Sequence, residues 1–194
     1  MTVKKLIINN LSGKKIAIFF ILASAIYITM LFFTIEHLVF LADGYKPLDM
    51  LPLGYNPEYV IALLSKLGVS GRDYYLTRQL PLDFLYPAFF AITYSLLFAY
   101  LLKKINKLDT KYFYVSYLPL LAGAADYVEN LFIIYFLKSY PAIIANSVSI
   151  ASGFSVIKSA ATSLYYVFLL VLVVILVKNH LFSKKKDTVA PHAQ

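Results

Sequence analysis

Apolar residues in this chain run in long blocks, and polar residues gather at the ends of those blocks. The first block, IAIFFILASAIYITMLFFTIEHLVFL (16–41), carries no charge until Glu36 and His37 near its far end. The second is LDFLYPAFFAITYSLLFAYLL (82–102), the third YFYVSYLPLLAGAADYVENLFIIYFL (112–137), and the fourth spans 154–177, ending in VFLLVLVVILV. A membrane span needs about 20 mainly apolar residues, because the hydrocarbon core is roughly 30 Å thick. The blocks therefore predict an all-α integral membrane protein, a bundle of four transmembrane helices. Pro87 lies one turn into the second block and lacks the N–H that would bond back to Asp83, so a bend is expected there. The third block holds Pro119 and the small residues Ala122, Gly123, Ala124 and Ala125, which let a neighbouring helix approach closely.

The connections differ in length. Residues 42–81 form a long outer loop in which Pro47, Pro52, Pro57, Gly44, Gly54, Gly68 and Gly71 forbid one continuous helix. Within it, PEYVIALLSKLG (57–68) opens on proline and glutamate, closes on glycine, and repeats its apolar residues at helical spacing. It reads as a short amphipathic helix lying on the membrane or capping the bundle. GRDYYLTRQL (71–80) reads as a second short helix leading inward. Residues 103–111 form a tight basic turn and 138–153 a partly apolar connection. Residues 1–15 are a basic leader, and 178–194 a basic, then polar, tail without regular structure. The first block is too long for a signal-peptide core and no small-residue cleavage site follows it, so it is read as retained.

Charge sets the orientation. Charged residues make up 14% of the 194, where a soluble domain has about 25%. The net charge of +8 comes from lysines at the block ends: Lys4, Lys5, Lys14 and Lys15, then Lys103, Lys104, Lys107 and Lys111, then Lys178 and Lys184 to Lys186. All three clusters fall on one side of a four-span bundle. The positive-inside rule makes that side cytoplasmic, with both termini inside and 42–81 and 138–153 outside, in a cell inner or plasma membrane. The lysines read as topology signals and contacts for anionic lipid, not as a nucleic-acid surface. The absence of cysteine excludes disulfides, thiolate metal sites and a cysteine nucleophile.

Depth singles out one layer. Counting about 20 residues at about 1.5 Å each from the lysine boundaries puts the outer edges of the four helices near residues 36, 83, 131 and 158. Glu36, His37, Asp83 and Lys158 lie at those edges, and Asp126, Glu129 and Asn130 lie in the outer third of the third helix. Gly123, Asp126 and Asn130 share a stripe, and Glu129 follows Asp126 by three, so both carboxylates point to one side. Facing lipid they would be costly, so they should face the bundle interior and find a partner in Lys158, Arg72 or Arg78. Glu36, His37, Asp83, Asp126 and Glu129 are a candidate divalent-cation set, and with Asn130 a candidate acid–base set. Arg72, Arg78 and Lys158 are candidate substrate-binding cations, the arginines suited to phosphate. Plainer roles compete. The acidic set can simply hold helices together, Glu36 and His37 can be solvated, Asp83 can cap a helix start, and the arginines can pair with Asp73 or Asp83.

No metalloprotease, phosphate-loop, serine-elbow, haem or iron–sulfur signature is present. Three readings therefore stand. One is a lipid-binding protein, or a lipid-modifying enzyme working by metal or acid–base chemistry near the outer leaflet. Another is an accessory or structural protein that binds a partner membrane protein through its outer loop. The last is an ion or small-solute transporter, which would have to be a homo-oligomer because four helices enclose too narrow a pore. A pocket open to lipid favours the first, a cluster closed by salt bridges the second, and a continuous polar track the third.

Overall fold

The structure, a computed structural model, describes residues 2–189, the side chains of His180 and residues 182–189 excepted. Among the described residues every regular element is helical. A short leader helix, α1 (Val3–Asn9), precedes α2 (Gly13–Leu41), α3 (Pro57–Tyr74), α4 (Leu80–Lys104), α5 (Leu118–Ser139) and α6 (Ala145–Val189). Four stretches are long and apolar enough to cross a bilayer: Gly13–Leu41, Pro57–Lys104, Lys111–Ser139 and Ala145–Asn179.

Helix ends follow local chemistry. α3 starts at Asn56, whose Oδ1 accepts from the Tyr59 N–H at 2.8 Å, with Pro57 in the first turn where its missing N–H costs nothing. α2 and α4 end alike. Asp43 and Asn106 each take a positive φ of 56° one residue past the cap. The following N–H, of Gly44 or Lys107, returns to the carbonyl of Val39 or Leu102 at 2.9 Å. These are Schellman caps built on Asp and Asn, the residues after glycine that best tolerate the left-handed region.

Three boundaries differ from the sequence reading. The two short helices expected in 57–80 exist but are not separate from the second long helix. The chain runs from Pro57 through a widened turn at Tyr75–Gln79 into α4, broken only at Gly68 (φ 62°, ψ −169°). Arg72 bridges that break by donating to the Leu64 carbonyl at 2.7 Å, while its guanidinium sits 4.5 Å from the centre of the Tyr140 ring. The fourth helix begins at Ala145, inside the expected connection. It also continues through 178–189, where an irregular tail was expected, and residues 190–194, with His192, lie outside the described ones.

Packing runs α2 on α4, α4 on α5 and α5 on α6. The apolar windows of the central stretches are 50% buried, those of α2 and α6 only 17%. One apolar cluster, with Leu38, Leu63, Tyr75, Ile133 and Phe136, fills the end beneath the 42–56 connection. Another, with Ile16, Leu96, Phe113 and Tyr165, fills the basic end. Between them only Phe90, Ala122 and Ala161 form a small third cluster, and the polar side chains collect there and just above it.

Candidate functional site

The site begins with a proline. Pro87 inside α4 cannot donate to the carbonyl of Asp83, four residues earlier. Asn130 of α5 supplies the missing donor, its Nδ2 giving to Asp83 O at 2.9 Å, and the Tyr127 hydroxyl donates to the next carbonyl, Phe84 O, at 2.8 Å. Close approach allows this. A Cβ on Gly123 would lie 3.0 Å from Pro87 O and 3.2 Å from the Ala91 Cβ, so α5 presses directly on the α4 backbone. Asn130→Ala should therefore lower stability by about 1–3 kcal/mol, the cost of a buried carbonyl left without a donor. In the background of Pro87→Ala, which restores the helical N–H, the same change should cost clearly less. Detergent thermal unfolding of the four proteins checks this, and equal costs in both backgrounds would refute the coupling.

The close packing of α4 on α5 brings Asp83, Asp126 and Glu129 inward, where they are 3%, 6% and 0% exposed. Lys158 of α6 meets two of them, its Nζ 3.0 Å from Asp126 Oδ1 and 2.6 Å from Glu129 Oε2. The Glu129 contact lies off the hydrogen-bond axis, so it is held by charge more than by direction. One cation thus serves two carboxylates. Asp83 Oδ2 and Asn130 Oδ1 have no hydrogen-bond partner among the described residues.

The 42–56 connection closes this end, and it contributes the acid that the sequence reading missed. Asp49, in a short turn at Leu48–Met50, accepts from the Tyr75 hydroxyl at 2.7 Å and turns its carbonyl to Lys158 Nζ at 3.4 Å. Four further bonds fix the connection on the bundle. The Tyr55 N–H donates to Ser152 Oγ at 2.8 Å, Ser155 Oγ donates to Leu51 O at 3.0 Å, and Lys46 and Tyr59 exchange bonds at 3.0 Å. Gly54 (φ 85°) is required where it crosses α6, since any side chain would run into Ser152. Burial, and then the nearby Glu129 carboxylate, push the Tyr55 hydroxyl well above the usual phenol range. At the rim, the Lys66 ammonium holds the Asp43 carboxyl below its ordinary value, chiefly through their hydrogen bond. Composition offered no sign of Asp49, which sits among prolines and glycines like any loop aspartate.

Beneath the connection lies a cavity of about 400 Å³. Asp49, Asp83, Asp126 and Lys158 line its polar end, and Tyr27, Tyr86 and Phe90 are on its aromatic wall. Ser159, Thr162 and Ser163 face it from α6. α2 packs chiefly on α4 and α6 chiefly on α5, so the side of the cavity between α2 and α6 has no packed seam. Two widened, π-type helical turns, Met30–Ile35 in α2 and Tyr75–Gln79, stand beside the polar end. They are tied by a hydrogen bond from the Thr34 hydroxyl to Gln79 Oε1, both groups being buried. Such turns often mark functional sites because the extra residue re-aims side chains.

Not all expected residues meet. Glu36 and His37 are exposed and do not line the cavity, and the His37 ring packs 4.5 Å from that of Tyr74. Arg72 is spent on the Leu64 carbonyl and Tyr140, and Arg78 is exposed, so neither arginine pairs with Asp73 or Asp83 or reaches the cavity. Among the described residues no three His, Asp or Glu side chains come together in a way that could hold a metal ion. Asp83 makes no capping hydrogen bond either, since the helix arrives from Tyr75 through the widened turn and does not start there. Comparison with protein-family models, with curated proteins and with solved structures finds no match to this chain.

Proposed function

We propose that this chain is a four-span membrane protein, both ends cytoplasmic, that binds a membrane lipid by its headgroup in the cavity under the 42–56 connection. The observation that carries this reading is the form of the cavity. A charged end lies beneath the connection, an aromatic and hydroxyl-bearing wall lies below, and the gap between α2 and α6 opens sideways. In a bilayer that gap faces acyl chains, so a lipid could enter without leaving the membrane. Membrane insertion is supported by α2 and α6, which expose Ile21, Phe32, Phe33, Val167, Leu170 and Val174, a surface too apolar for water. The lysine clusters at the opposite end support a cavity toward the outer leaflet. A C-terminal tag should accordingly be inaccessible to a membrane-impermeant reagent on intact cells, and labelling from outside would overturn the orientation.

Filling the cavity tests the function. Native mass spectrometry of the detergent-purified chain should find about one lipid retained per chain. Thr162→Phe, which puts a ring into the cavity, should lose that lipid at an unchanged thermal midpoint. Retention equal to wild type, or no lipid on either protein, would overturn the reading.

A second reading, an acid–base enzyme acting on the bound headgroup, is favoured by one feature. Asp83 is a buried carboxyl at the cavity wall that no cation engages within salt-bridge distance.

A further inference from the structure

From the charge balance of the cavity we infer that its ligand presents an ammonium group, primary or quaternary, and that Asp83 is its counter-ion. The inference rests on the lipid-pocket reading and names the headgroup class it selects. Asp49, Asp83 and Asp126 line the polar end, Glu129 is buried behind Lys158, and Lys158 is the one cation lining the cavity among the described residues. That lysine already engages two carboxylates, at 3.0 and 2.6 Å. Asp83 is left 3% exposed, with Oδ2 unpartnered, in the wall of the cavity. A buried carboxylate without a donor is costly, and a ligand ammonium placed against it removes that cost.

The remainder of the wall suits the same group. Tyr27 and Tyr86 stack with ring centres 5.3 Å apart, and Tyr86 and Phe90 follow at 5.8 Å. An aromatic surface next to a carboxylate attracts an ammonium through the ring quadrupole. Binding through phosphate has no such support. Neither arginine reaches the cavity, and Lys158 is committed to its two acids. A headgroup with no cationic part would leave Asp83 without a partner.

Two sources can supply an ammonium, a zwitterionic lipid headgroup or a free amine. The full-length chain, delipidated in maltoside detergent, is titrated with dioleoyl-phosphatidylethanolamine, dioleoyl-phosphatidylglycerol and soluble ethanolamine, and bound ligand is counted by native mass spectrometry. Phosphatidylethanolamine should be retained at least about ten-fold more than phosphatidylglycerol, and Asp83→Asn should reduce that preference about ten-fold. If ethanolamine alone displaces the lipid and is itself weakened by Asp83→Asn, the free amine is the ligand and the ammonium assignment stands. Equal or stronger retention of phosphatidylglycerol overturns the inference while the lipid pocket survives. Loss of every ligand from the wild type overturns both. The wild-type comparison needs no variant, so the test holds if Asp83→Asn fails to fold.

Discussion

Lys158→Met should unfold at a markedly lower temperature than the wild type, with a loss of about 3–5 kcal/mol, the usual consequence of removing one partner of a buried ion pair. The magnitude follows from the geometry. Asp126 and Glu129 are 6% and 0% exposed, and both depend on the same ammonium. Without it, two buried carboxyl groups from one helix face must be neutralised or hydrated. A rescue should follow when the charges are removed together. In Lys158→Met/Asp126→Asn/Glu129→Gln the charges are gone together, and much of the lost stability should return, because an ion pair replaced as a unit by neutral groups is often nearly neutral in energy. Thermal unfolding in detergent distinguishes the cases. A single variant as stable as wild type would mean that Lys158 serves a ligand and not the bundle. A triple variant no better than the single one would place the loss in packing of the lysine stem.

Gly123→Val is the other large expected effect. The α4 backbone lies so close that even a single Cβ would sit 3.0 Å from Pro87 O. Alanine forces a shift of a few tenths of an ångström. A branched side chain forces the helices apart, which typically costs about 1–3 kcal/mol. The damage should extend to chemistry at the polar end. Separation of α4 from α5 also stretches the Asn130–Asp83 hydrogen bond, so Gly123→Val and Asn130→Ala should be less than additive, as expected for changes at one shared contact. Full additivity of the two unfolding midpoints would show that the glycine and the asparagine act on separate features. Lipid retention should fall in Gly123→Val as well, since the residue borders the cavity.

Features that depend on local composition were legible along the chain. Long apolar blocks, with lysine clusters flanking them, already specify helices of spanning length, because a run of that length with so few charges has few other stable solutions. The spacing of Asp126, Glu129 and Asn130 was enough to put them on one inward face, because helical periodicity is a property of the chain alone. The loss of a donor at Pro87, and the value of small residues near Gly123, were legible for the same reason. Tertiary structure decided which distant groups meet. That Lys158 and not Arg72 or Arg78 serves the two acids depends on how α6 lies against α5, and the arginines were drawn to a broken helix and an exposed turn. Glu36 and His37 have the right depth but point away, because depth along a helix says nothing about the direction faced once widened turns shift the register. Asp49 entered the site only because Tyr75, Ser152 and Ser155 fix the connection over the bundle, and contacts between residues 26 to 104 positions apart leave no trace in local pattern.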